Sequence, residues 1–270
     1  MGSGRRKIEV IGLRKVFGGG GNKVVAINEL NLEVRENEFT VIVGPSGCGK
    51  STFLYLVAGF EKPSEGQILL DGRAIGEPGP DRGFVFQEFA LFPWRTVLGN
   101  ITFGLEIQGI SKGRAKKIAR DYINMVGLEG FENAYPYSLS GGMKQRVGLA
   151  RALAYEPEVL LMDEPFGALD AQTRKLMQEE LTRIWEKAKK TVIFVTHSVI
   201  EAVYLGDRIY VMTARPGEIK GIIDVDLPRP RDSRGEGFLK KRDEVLELLE
   251  EEVRKGVEFG QSSSKGEGSN

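Results

Sequence analysis

The sequence predicts an α/β fold, and three stretches carry that expectation. Residues 39–44, "FTVIVG", are an apolar run of strand length that passes straight into the glycine-rich "GPSGCGKST" of residues 44–52. "STFLYLVAGF" follows with helical spacing, and strand–glycine loop–helix is the order in which backbone amides cradle a phosphate. Residues 159–164, "VLLMDE", form a second apolar run that ends in two carboxylates.

Taken in chain order, "GSGR" at 2–5 reads as a flexible lead-in. "KIEVIGLRKVF" and "ELNLEVRENEFTVIVG" alternate apolar and polar residues and read as strands, with the glycines at 18–21 as a turn or open loop between them. In the loop after the buried strand, Gly44, Gly47 and Gly49 permit torsions that turn successive N–H groups toward an anion, and Pro45, Ser46 and Cys48 complete its backbone. The helix starting near Lys50 adds the positive end of its dipole. Lys50 reaches the outer phosphates of a nucleotide, Ser51 places a hydroxyl on Mg²⁺, and Thr52 closes the motif. Cys48 reads as a small residue in a small space, and its place in the loop suggests the thiol as a chemical probe.

The acidic run separates phosphate chemistries. A buried strand ending in Asp163 offers a carboxylate to Mg²⁺, and Glu164 is placed to polarise an attacking water. A second carboxylate of this kind favours hydrolysis over transfer to an acceptor. "TVIFVT" then ends at His197, the only histidine in the chain, where α/β folds place ligand chemistry at strand ends. His197 can donate to a terminal phosphate or hold the attacking water.

Composition bounds the partners. The 270 residues suffice for one large or two small domains. Lys plus Arg and Asp plus Glu both number 38, so no basic excess points to nucleic acid. A single cysteine and no signal peptide lead us to expect a reducing cytosol. No apolar run approaches the roughly 20 residues needed to span a bilayer.

"LSGGMKQR" at 139–146 adds a second helix start suited to an anion, built from Ser140, Gly141 and Gly142. With it the sequence resembles the ATP-binding cassette (ABC) ATPases over residues 7 to about 228. Phe17 stands where that family stacks an aromatic on adenine. Gln87 in "FVFQEF" matches the glutamine loop, where it also approaches the metal. Asp170 closing "GALD" matches the loop after the second acidic motif, and His197 matches the switch histidine. The resemblance implies a P-loop NTPase (RecA-like) core with a small antiparallel β subdomain and an inserted α-helical subdomain. Residues 6–88 and 159–228 would form the core with the β subdomain, 89–158 the helical signature subdomain, and 229–270 a C-terminal helix and disordered tail.

It also implies ATP and Mg²⁺ as cofactors and a second copy of the chain bound head to tail. Each ATP would lie between one phosphate loop and the partner's signature, and closure would be an ATP-driven population shift. The aromatic stretch "EFALFPWRTVLGNITFGLEIQG", with Phe89, Phe92 and Trp94, falls where the family receives a helix of an integral membrane permease, although most of these rings are expected to be buried. "LFPWRTVLGN", "MTARPGEI" and "VDLPRPRD" are similar to importer ATPases for nitrate, sulfonate, taurine and related small anions, and also to the pyrimidine-precursor importers of thiamine synthesis. A solute-binding protein is implied indirectly, nucleic acid is not, and the location implied is peripheral, on the cytoplasmic face of the membrane. The stretch after residue 228 is expected to be too short for the regulatory domain of the sugar importers.

The alternative is a soluble ABC-type ATPase not coupled to transport. DNA-repair members would need a long coiled-coil insertion and translation-factor members usually two cassettes, neither of which is present. "DEVLELLEEEVRKGV" places Leu246, Leu249 and Val253 at helical spacing, and 260–270 reads as disordered.

Overall fold

The computed structural model describes residues 4–18 and 23–263. Along them run β1 (Arg6–Phe17), β2 (Val24–Arg35), β3 (Phe39–Val43), α1 (Lys50–Ala58), β4 (Glu65–Leu70), β5 (Arg73–Ala74) and β6 (Arg82–Val85). There follow α2 (Val97–Ile107), α3 (Lys112–Met125), α4 (Gly141–Ala154), β7 (Val159–Asp163), α5 (Ala171–Ala188) and β8 (Thr191–Thr196). The last elements are α6 (Val199–Leu205), β9 (Arg208–Met212), β10 (Ile219–Asp224) and α7 (Glu236–Ser263). Two compact units divide the chain: Met1–Pro78 with Ile193–Asn270, and Gly79–Val192.

In the first unit β2, β1, β4 and β5 form an antiparallel sheet in that order. β1 buries Ile8, Val10 and Leu13 and β2 buries Ile27, Leu30, Leu32 and Val34, the alternation read in the sequence changing phase at register shifts between Val10 and Leu13 and between the Leu13–Leu30 and Lys15–Ile27 pairs. β3 pairs in parallel with β9, from Thr40 opposite Arg208 to Val43 opposite Val211, and β10 flanks β9 antiparallel. Every residue of β3, β8 and β9 is buried, as expected of continuous apolar strands covered on both faces. α1 buries Phe53, Leu54, Leu56 and Val57 and ends at Gly59, whose φ of 79° suits a residue without a Cβ.

The expected amphipathic C-terminal helix is present as α7, which packs on α6 and buries Phe238, Val245 and Leu249. Leu246 is half-buried. Val253 lies outside the residues whose side chains are described. α7 runs through Ser263, into the stretch expected to be disordered, and 264–270 lie outside the described residues. So do residues 19–22, which include 19–21 of the expected glycine loop, and the first part of the lead-in.

In the second unit β6 and β7 pair in parallel, from Arg82 opposite Val159 to Val85 opposite Met162. α2 packs on α3 and α4, and α4 also meets β6 and α5. Buried Asn100 organises the turn before α2: its Oδ1 accepts from Phe92 N (2.8 Å), and its Nδ2 donates to the carbonyls of Phe92, Arg95 and Thr96 at 3.0–3.2 Å. Thr96 caps the helix by accepting from Gly99 N. This turn lifts Trp94 out, leaving it 72% exposed, whereas Phe89 and Phe92 are half-buried. Among the described residues no helix is long and apolar enough to cross a membrane.

Candidate nucleotide site

The first unit supplies the phosphate loop. β3 delivers the chain to Gly44, and α1 begins at Lys50. A Cβ on Gly44 would lie 2.9 Å from Cys48 Sγ and 3.1 Å from Met212 Cβ, so no larger residue fits. Gly49 has φ 102°, and a Cβ there would stand 2.8 Å from the Ala26 carbonyl oxygen. As N-cap of α1, Gly49 offers no side-chain cap, the arrangement of a helix start that receives an anion. Lys50 is 4% exposed, and its Nζ curls back over the loop to donate to the carbonyls of Gly44 (2.9 Å) and Pro45 (3.0 Å). Ser46 and Gly47 are exposed, and Ser51 and Thr52 are half-buried.

Cys48 is fully buried beneath Gly44, the small residue in a small space that the sequence suggests. Its thiol is therefore shielded by the loop itself, which counts against its use as a chemical probe.

Phe17 closes β1 opposite Val24 and is partly exposed, with Lys15 Nζ 4.8 Å above its ring centre. One face of that ring already carries a cation. His197 is exposed directly after β8. The turn that follows it is locked: Thr196 Oγ1 donates to Glu201 Oε2 (2.6 Å) and accepts from Ser198 N (3.0 Å). Ser198 in turn caps α6 by accepting from Glu201 N.

The second unit supplies the acidic and signature elements. Asp163, 3% exposed, ends β7, and the chain breaks from strand geometry at half-buried Glu164, whose φ of 41° is left-handed. Such torsions in a non-glycine residue cost about 1–2 kcal/mol and gather at functional sites. Gly167 N donates to the Glu164 carbonyl at 3.0 Å, closing a turn. Gln87 is exposed, and its Nε2 would lie 3.7 Å from a Cβ on Gly167, so the structure brings Gln87 and the turn after Glu164 together.

Exposed Ser140 caps α4, its Oγ accepting from Met143 N at 3.3 Å. Gly142 has no side-chain room, since a Cβ there would stand 2.9 Å from Thr173 Cγ2, and Gly141 is tight, with a Cβ 3.3 Å from Leu169 Cδ2. The signature thus abuts the start of α5. Asp170 caps that helix, its Oδ1 accepting from Gln172 N (3.1 Å) and Thr173 N (3.0 Å). Hydrogen bonds from Thr173 hold its carboxyl below the usual range.

Taken one by one, the Ser51 hydroxyl in the first unit and the buried Asp163 carboxylate and the Gln87 amide in the second are hard donors of the kind magnesium takes. Among the described residues no three His, Cys, Asp or Glu side chains cluster as a metal cage.

Sequence reasoning missed the neighbour that supports the phosphate loop. Arg215 Nε donates to the Gly47 carbonyl at 3.0 Å. Arg215 lies in "MTARPGEI", a run that in the sequence points only to cargo class.

The ABC transporter family model matches residues 27–167, which span the phosphate loop, the signature and the acidic strand. The chain belongs to the ABC transporter family. An uncharacterized ABC transporter ATP-binding protein of Methanocaldococcus jannaschii is 59% identical over 93% of this chain and 94% of its own length. A nitrate import ATP-binding protein of Synechocystis is 45% identical (90% of this chain, 94% of its own), and a taurine import ATP-binding protein of Rhizobium johnstonii 47% (87% and 89%). A solved ATP-binding cassette, dimeric and bound to ADP and Pi, is 34% identical with a TM-score of 0.72, covering 82% of this chain and all of that one. The cassette therefore has the P-loop NTPase fold, binds ATP and is an ATPase.

Proposed function

We propose that this cassette powers import of a small solute such as nitrate, a sulfonate or taurine through a separate membrane permease. The observation that carries this reading is the similarity, over nearly nine-tenths of the chain, to proteins named for nitrate and taurine import. The exposed ring of Trp94 supports it, because an aromatic lifted out by a rigid turn suits a docking partner. The cassette then acts peripherally at the cytoplasmic face of the membrane, and a solute-binding protein delivers the cargo.

In this reading two copies close head to tail. Lys50 and the backbone N–H groups of residues 44–52, other than Pro45, which has none, bind the phosphates, and Phe17 offers its ring to adenine. Ser140 and the amides of Gly141 and Gly142 complete the partner's site, and Asp170 orients α5 beside them. Ser51, Asp163 and Gln87 hold Mg²⁺, which when bound neutralises charge developing on the phosphates. Glu164 accepts a proton from the attacking water, and His197 donates to the terminal phosphate. Residues 6–88 and 159–228 serve as the catalytic core, 89–158 as the signature and docking subdomain, and 229–270 as an appended helix and tail.

Co-purification from membranes tests the reading. The cassette should bring down an integral membrane protein, and a strain lacking it should lose uptake of labelled nitrate or taurine. Full ATPase activity with no membrane partner and no uptake defect would favour a soluble ATPase.

A further inference from the structure

We propose that Arg215 is a positioning residue of the phosphate loop, holding the Gly47–Cys48 peptide so that its amide faces the nucleotide; this rests on the reading of residues 44–52 as the nucleotide site. The loop that carries Arg215 is itself rigid. Thr213 Oγ1 donates to the Pro216 carbonyl (2.7 Å) and accepts from Glu218 N (2.9 Å), while Thr213 N donates to the Glu218 carbonyl (3.0 Å). It is also anchored on β2. Gly217 N donates to the Ala26 carbonyl (3.0 Å), Asn28 N to the Gly217 carbonyl (3.1 Å), and Asn28 Nδ2 to Glu218 Oε1 (2.7 Å).

From this base the loop grips the phosphate loop at three points. Met212 packs on Gly44, Gly217 lies so close to the Cys48 carbonyl that no Cβ fits between them, and Arg215 Nε donates to the Gly47 carbonyl at 3.0 Å. The third contact bears on chemistry. In a planar trans peptide the carbonyl and the following N–H point in opposite directions. Pulling the Gly47 oxygen outward to the guanidinium therefore turns Cys48 N–H inward, where it makes a weak bond to the Pro45 carbonyl at 3.4 Å. That is the side on which Lys50 Nζ meets the carbonyls of Gly44 and Pro45.

Gly47 needs such a restraint. It is exposed, sits at φ 76° and has no side chain of its own to fix that geometry. Arg215 supplies the missing stiffness by a charge-assisted bond and adds positive potential to the loop.

The test uses the purified full chain, calorimetric titration with ATP and Mg²⁺, and steady-state ATPase assays. Arg215→Ala should weaken ATP binding and raise KM about five- to tenfold, with kcat kept within about twofold, the size expected when one charge-assisted bond is discounted for an exposed site. The melting temperature without nucleotide should stay within about 2 °C of wild type. Amide exchange at Cys48 should quicken. Arg215→Lys should recover part of the affinity, since one ammonium donor can still reach the Gly47 carbonyl. Wild-type affinity in Arg215→Ala, or a loss in kcat with KM unchanged, would overturn the proposal. Lys50→Ala is the control: if it too binds ATP normally, the nucleotide-site reading fails and the role of Arg215 falls with it.

Discussion

The turn that carries His197 offers a perturbation whose size follows from the structure. Thr196 Oγ1 makes two bonds, donating to the carboxylate of Glu201 at 2.6 Å and accepting from Ser198 N at 3.0 Å. Thr196 is 2% and Glu201 5% exposed, so water cannot replace the hydroxyl. Thr196→Val keeps the branched shape and removes both bonds. The bond to a charged acceptor is worth about 1.5–3 kcal/mol, and the stranded N–H adds about 1 kcal/mol. Burial of the new methyl returns about 0.8 kcal/mol. The net loss is about 2–3 kcal/mol.

For a chain of this size that corresponds to a fall in melting temperature of roughly 4–12 °C. Calorimetry on the nucleotide-free chain reads it directly. Thr196→Ser, which keeps the hydroxyl and gives up only a methyl, should lose about 1 kcal/mol. On the role proposed for His197, which this turn carries, the valine variant should also lose kcat while its ATP affinity stays within about twofold. A fall of less than about 2 °C in Thr196→Val, or equal losses for valine and serine, would show that the buried bond to Glu201 does not hold the turn.

Three further outcomes follow. Glu164→Gln keeps the size of the side chain and should lower turnover about 10²–10⁴-fold with ATP still bound, collecting as an ATP-bound dimer on a sizing column; adding Ser140→Arg should return it to monomer, and trapping as a monomer would refute a shared site. Lys50→Ala should weaken ATP binding and abolish hydrolysis, and normal turnover would remove residues 44–52 from the mechanism. Asp170 has its carboxyl held below the usual range, so its capping contribution is present above the unfolded value near 3.9 and is lost as pH falls through the lower folded value. Asp170→Asn keeps a good cap without that titration, so thermal melts below about pH 4 should show wild type losing stability that the variant keeps, and parallel acid profiles would count against the carboxylate as the cap.

What the sequence made legible is what local physics controls. β3, β7 and β8 are apolar runs, and the structure buries every residue in them. The helix starts at Lys50 and Gly141 were marked by residues whose only local use is to free or cap amide groups. What stayed hidden depends on contacts far apart in the chain. Arg215 meets Gly47 across 168 positions, and no periodicity records such a pair.

"VDLPRPRD" shows the same limit in sharper form. Two arginines stand between two aspartates, a local pattern that by itself gives no sign of burial, yet the Arg231 side chain is 1% exposed. Its guanidinium donates to the carbonyls of Val203, Tyr204 and Gly206 around the end of α6 and to those of Val225 and Leu227. Burial, with Arg229 nearby, pushes its pKa down to about 10, so it remains cationic at neutral pH. A helix C-terminus carries partial negative charge, and a cation there is stabilised by carbonyls that would otherwise lack donors. The segment leading into α7 is thereby fastened to α6, the helix whose N-terminal turn bears His197. A charge run is a surface only until a helix end needs it, and the chain gives no local sign of which end that will be.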